Sequence, residues 1–181
     1  GYIGGKTDLA LMRFTDLVIQ LPRLPLMLIL VVFWGRGLLV LIFVIGILGW
    51  TGTARIVRAE TLSLKKRPFI EATRAIGARD VHIIFVHILP NVFPVIFAIA
   101  ILGIVDSILS EAALSFLGFG DPSEPSWGMV LNEAQTHAAL LTGRWWWFIP
   151  PGLCILVFVF GFALMSHSLN QLINPRLRER E

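Results

Sequence analysis

The chain has 181 residues, 56% hydrophobic and 15% charged, with a mean hydropathy of +0.78; soluble domains carry about 25% charged residues, so water is excluded as its main solvent. The formal net charge of +3 is too small and too scattered for nucleic-acid binding and suits a membrane protein with basic loops. The single cysteine, Cys154, lies in an apolar run, cannot form an internal disulfide and reads as a small buried hydrophobe.

The opening segment, "GYIGGKTDLALMRFTD", has neither the long apolar core nor the cleavage pattern of a secretory leader. It also does not begin with Met, so the sequence reads as starting inside a longer chain. Crossing ~30 Å of hydrocarbon takes about 20 mostly apolar residues in a helix. Four stretches approach that length: 17–34, 37–57, 92–118 and 146–168. The first is the weakest, because Pro22, Arg23 and Pro25 disturb its first half. The short "WGRG" junction (34–37) joins it to the second, which predicts a tight helical hairpin. No strand-length alternation runs through the chain, which argues against a β-barrel. The predicted fold class is all-α, a polytopic helical membrane protein.

Between the second and third spans lies a polar loop, 60–91. Pro68 can open a helix, since its missing N–H would be unpaired there in any case. On that helix Phe69, Ala72 and Ile76 share one face, while Glu71 and Arg74 share the other at i,i+3 spacing, where opposite charges attract. Gly77 is placed to end the helix, and Asp80 to cap the next one with its carboxylate. "VHIIFVHIL" follows, ending at Leu89, and Pro90 and Pro94 are expected to bend the entry to the third span. The first helix is too short to be stable alone and needs a docking surface. Its residues fit either an amphipathic loop on the membrane surface or a protein-docking element.

The third span carries Asp106 and Glu111. A helix entering near Val92 puts Glu111 roughly 28 Å along, close to the far surface, with Asp106 deeper. A carboxylate at such depth faces a partner or a wet cavity. Either residue can line a transport path or make an interhelical or interfacial contact, the contact being favoured for Glu111. Their five-residue spacing puts them on different faces, against a catalytic carboxylate pair. His82, His87, His137 and His167 show no metal-ligand spacing.

Charge sets the orientation. The stretch 51–82 holds Arg55, Arg58, Lys65, Lys66, Arg67, Arg74 and Arg79 against Glu60, Glu71 and Asp80, and the tail holds Arg176, Arg178 and Arg180. The stretch 119–144 holds Asp121, Glu124 and Glu133, with Arg144 its only basic residue. Basic loops stay in the cytoplasm, so 51–82 and the tail are predicted cytoplasmic and 119–144 external. Trp145, Trp146 and Trp147 then fall at the outer interface, a depth that suits indole. In the outer loop "DPSEPSWG" has turn chemistry, and "MVLNEAQTHAALL" can form a short helix.

The segment "EATRAIGARDVHIIFVHILPN" (71–91) resembles the EAA loop of ABC-transporter permease subunits. Glu71, Ala72, Gly77, Leu89 and Pro90 match the pattern; Thr73 replaces its second alanine, and His87 stands where isoleucine is usual. "EAALSFLGFG" (111–120), "PSWG" (125–128), "LNEA" (131–134) and "NPRLR" (174–178) extend the resemblance to the second permease subunit of dipeptide, oligopeptide and nickel importers, over nearly the whole chain. That family usually has six spans, of which four are found here, and the start looks like the segment after the family's second span.

The resemblance implies a type I importer permease of the inner membrane, forming half of a pathway for peptides or nickel-related solutes. Its implied partners are cytoplasmic ATP-binding subunits, a second homologous permease subunit and an extracytoplasmic substrate-binding protein facing 119–144. The loop would be a coupling helix seated in an ATPase cleft, with Phe69, Glu71, Ala72, Arg74, Ile76, Gly77, Asp80, Leu89 and Pro90 as coupling residues. No cofactor is expected on this chain: it has no G-x-x-x-x-G-K-[ST] phosphate loop, so ATP and Mg belong to partner subunits. Neither G-x-S-x-G nor H-E-x-x-H occurs, which argues against an enzyme. The competing reading is an ATP-independent carrier or channel, which needs functional charges in the spans and no cytoplasmic lever.

Overall fold

The structure is a computed structural model that describes residues 1–173, with side chains described through residue 169. The described residues are helical, with no strand among them. The "NPRLR" block and the basic tail lie outside the described residues.

The first helices are α1 (Gly5–Gln20), α2 (Arg23–Trp34) and α3 (Leu38–Lys65). The predicted first span is therefore not one helix. Leu21 and Pro22 are extended, with ψ of 135° and 115°. Proline pushes the residue before it out of the helical region and offers no N–H of its own, so α1 stops and α2 restarts. Three continuous helices are long and apolar enough to cross a membrane: Leu38–Lys65, Asp80–Phe116 and Trp145–Leu169; α1 and α2 qualify only as a broken pair. The predicted α2–α3 hairpin is present. Met27 and Val31 of α2 pack with Leu41, Val44 and Ile45 of α3 in one buried cluster, with Leu114.

After α3 come α4 (Pro68–Ala75), a single turn α5 (Asp80–His82), a π-helical stretch (Ile83–Ile88) and α6 (Leu89–Phe116). The π stretch was not predicted. It ends with Leu89 N–H bonded to Ile84 O, five residues back, immediately before Pro90. Proline has no N–H for the α ladder and its ring collides with the carbonyl four residues earlier; a wider turn ahead of it relieves both. Then follow α7 (Trp127–Thr136) and α8 (Trp145–Ile173).

Two compact units organise the chain, one from Gly1–Leu21 and Trp50–Ala100, the other from Pro22–Gly49 and Ile101–Ser168. The first is centred on Tyr2, Leu64, Ile70, Ile83, Ile88 and Val92. Within it, Arg58 bonds Asp8 through both Nε and Nη2, at 3.1 and 2.7 Å, and Arg55 bonds Asp16, tying α1 to α3. The second unit is centred on the α2–α3 hairpin and Leu114.

Candidate functional site

Pro68 opens α4 as predicted, and α4 closes where Gly77 is needed. Gly77 has φ +88°, its N–H bonds Arg74 O at 3.0 Å, and Ala78 N–H bonds Thr73 O at 3.3 Å. That pair of bonds is a Schellman motif, and the position between them is left-handed, which glycine tolerates without penalty.

The two faces of α4 are as the sequence spacing predicts, but a third direction carries the packing. Ile70 is 1% exposed, buried with Leu64, Tyr2, Ile83, Ile88 and Val92. Phe69, Ala72 and Ile76 point outward, with Ile76 85% exposed. Short, and with Ile70 its only buried residue, α4 thus leaves most of its apolar face exposed. Phe69 meets the ring of His87 edge-on, 6.2 Å between centroids, and Leu89 and Pro90 are exposed at the start of α6.

Asp80 does not cap. Arg79 holds the cap position, extended at φ −69° and ψ 146°, and Asp80 is already the first helical residue. A side-chain cap needs the extended residue just outside the helix. Asp80 instead accepts the Tyr2 hydroxyl proton at 2.9 Å, and the same oxygen of Tyr2 accepts from Arg74 Nη2 at 2.8 Å. Arg74 sits 3.9 Å from the Asp80 carboxylate. The hydrogen bond to Tyr2 is the main cause that raises the Arg74 pKa; the charges of Asp80 and Glu71 add less. The predicted attraction between Glu71 and Arg74 is thus secondary to Tyr2. Sequence reading missed Tyr2 altogether. Its ring is 6% exposed, lies under the cations of Lys65 and Arg74 at 5.5 Å each, and its carbonyl accepts from Lys65 Nζ at 2.8 Å. It ties Arg74 of α4 and Asp80 of α5 to Lys65 of α3.

Within α6, Asp106 forms an ion pair with Nη1 of Arg23 on α2. Glu111 turns along its own helix and accepts the Ser115 hydroxyl proton at 2.6 Å. The two carboxylates are not brought together.

The motif blocks beyond Glu111 converge. A Cβ on Gly128 would lie 2.6 Å from Ala112 O and 2.8 Å from Ser115 Cβ, so α7 rests directly on α6. Asn132 Nδ2 donates to Phe116 O at 2.6 Å, satisfying an end carbonyl of α6. Gly118, at φ +87°, closes a second Schellman motif with Gly118 N–H to Ser115 O and Phe119 N–H to Leu114 O. Phe119 then packs on the Leu114 cluster and under Arg36. Ser126 caps α7, accepting from Met129 N–H at 3.3 Å.

Asp121 reaches back to the hairpin and accepts the N–H of Leu38, the first residue of α3, at 3.0 Å. The Ser123 hydroxyl, then the Ser123 and Leu38 N–H groups, hold its carboxyl below the usual carboxylate range. A depressed folded pKa adds stability above the unfolded value, about 3.9, and loses it as pH falls through the folded value. The gap in melting temperature between wild type and Asp121→Ala is therefore expected to hold constant from pH 8 to 5 and to close in stronger acid. A gap that widens on acidification contradicts this role.

Comparison with known proteins gives a consistent result. The chain is 38% identical to the oligopeptide transport system permease protein OppC of Haemophilus influenzae, over 98% of this chain and 57% of the relative. It is 34% identical to the Bacillus subtilis OppC, over 99% of this chain and 58% of that one. To the dipeptide transport system permease protein DppC of Bacillus subtilis it is 33% identical, over 98% and 55%. The chain spans less than two thirds of the length of these curated relatives. Residues 1–179 match the family described as binding-protein-dependent transport system inner membrane component. Its apolar spans, its glycine-closed loop and this match over nearly its whole length have one reading: the chain belongs to the binding-protein-dependent transport system inner membrane components, a family of helical multi-pass membrane proteins.

Proposed function

We propose that this chain is a membrane-spanning permease subunit of an ATP-driven importer of peptides and forms half of the translocation pathway. Residues 68–80 dock into a separate cytoplasmic ATPase subunit, which holds the ATP and Mg; a second permease subunit and an extracytoplasmic binding protein complete the assembly. The chain sits in the inner membrane of a prokaryote, with loop 60–91 and the C-terminus cytoplasmic and 119–144 outside. The chain itself performs no catalysis.

The supporting observation is the outward apolar face of α4. Ala72 and Ile76 face away from their own chain and Phe69 is exposed beside His87, while Ile70 and Tyr2 fix the helix to the start of α6. A face of that kind, on a short helix rigidly joined to a span, suits a partner groove and passes displacement into the membrane. A membrane-surface loop would put the same residues into lipid, and a carrier without an ATPase has no use for the joint. Phe69→Asp/Ile76→Asp alters only exposed side chains, so the permease should still assemble in the membrane. Its recovery of ATPase subunits on affinity purification is expected to fall at least about tenfold, as loss of two central apolar anchors implies; Glu71→Arg should weaken it in the same direction. Undiminished recovery removes the docking role.

A further inference from the structure

The Arg23–Asp106 pair is more than a structural ion pair. Asp106 holds only Nη1 of the guanidinium, while Nε and Nη2 are buried and have no hydrogen-bond partner. Those two nitrogens form the side edge of the guanidinium, whose parallel N–H groups match the two oxygens of a carboxylate. Nη2 lies near Gly49 of α3, 3.9 Å from where a Cβ there would stand, an ordinary van der Waals distance. Two further observations bear on its use. Arg23 is the first residue after the Leu21–Pro22 break, and interrupted apolar helices are where membrane transporters build their sites. Asp106 lies within the apolar span, about 21 Å along a helix that enters near Val92 and so inside a ~30 Å hydrocarbon layer. Charges at that depth mark substrate pathways.

We infer that Arg23 is a carboxylate-binding residue of the translocation path: its open Nε–Nη2 edge takes the C-terminal carboxylate of a passing peptide, with Asp106 as the positioning residue that fixes the guanidinium plane. This rests on the peptide-importer reading. The edge is covered in this structure, so a carboxylate reaches it only in another state of the transport cycle.

The test is uptake by the complete transporter, in proteoliposomes with its binding protein, of a defined mixture of di- to pentapeptides supplied as free acids and as C-terminal amides. Arg23→Lys keeps a cation for Asp106 but loses the fork. It is expected to lower uptake of free acids relative to amides about 10- to 100-fold against the wild-type ratio, the value of a charge-assisted hydrogen-bond pair. Taking variant over wild type removes any preference imposed by the binding protein. Asp106→Asn, which leaves the edge intact but less firmly held, is expected to raise KM for free acids while keeping the preference for them. An unchanged ratio in Arg23→Lys overturns the inference, as does a preference abolished by Asp106→Asn. It is equally overturned if both variants merely lose the second permease subunit, which makes the pair an interface contact. Wild-type transporter that imports no peptide in either form overturns the underlying importer reading instead.

Discussion

Gly128→Val is expected to leave no stably folded protein. The β-carbon alone would stand 2.6 Å from Ala112 O, 2.8 Å from Ser115 Cβ and 2.9 Å from Ala112 Cα. Two of those atoms are backbone of α6, so no rotamer change makes room; α7 must lift off. Lifting it breaks the Asn132–Phe116 bond and uncovers Ser115, which is fully buried and bonded to Glu111. Overpacking a site that cannot yield costs about 3 kcal/mol or more, and valine adds two methyl groups beyond the β-carbon. Gly103→Ala, in the same apolar span as Ala112, is the control, since a Cβ there meets nothing within 4 Å. Thermal unfolding of the detergent-purified protein should show Gly128→Val unfolded or aggregated and Gly103→Ala close to wild type. Equal melting temperatures would mean that α7 does not rest on α6.

That contact also explains why the blocks "EAALSFLGFG", "PSWG" and "LNEA" could be recognised before their purpose was visible. Each block supplies one side of the same junction: Ala112 and Ser115, Gly128, and Asn132. The sequence carries the residues, but contact between them needs the chain to reverse direction. Local features were legible for the same reason that they are local. Pro68 and Gly77 act through their own backbone, so the start and stop of α4 follow from identity alone. The α2–α3 hairpin follows from two apolar runs with a three-residue joint. The break at Leu21–Pro22 was signalled as weakness in the first span, although whether proline bends a helix or divides it depends on what its neighbours hold. Long-range partners left no trace. Tyr2 is 78 residues from Asp80, and Arg23 is 83 from Asp106. Helical spacing put Phe69, Ala72 and Ile76 together, and an apolar face normally points inward; here it points out, because Ile70 alone supplies the inward anchor. Asp80 was misread as a cap by one position, a margin at which helix boundaries are not fixed by composition.

The second large effect is expected at Gly77, and it rests on the docking role proposed for α4. At φ +88° valine is strained by its branched Cβ, at about 1–2 kcal/mol or more relative to glycine. The chain escapes by giving up the two closing bonds, Gly77 N–H to Arg74 O and Ala78 N–H to Thr73 O. Ala78 packs against the Ile83 cluster and Asp80 bonds Tyr2, so a slack turn loosens the link between α4 and α6 without touching the outward face. Nothing lies within 4 Å of a Cβ at this position, so the effect is conformational and not a clash. Gly77→Val should therefore still bring down the ATPase subunits and still hydrolyse ATP, while substrate uptake per ATP falls about tenfold or more, the scale of a misplaced element. Gly77→Asn separates strain from bulk, because asparagine visits the left-handed region far more readily than valine. It should retain most of the uptake. If valine and asparagine behave alike, the left-handed turn is not what transmits the motion. If valine keeps wild-type uptake and wild-type hydrolysis together, α4 is no lever.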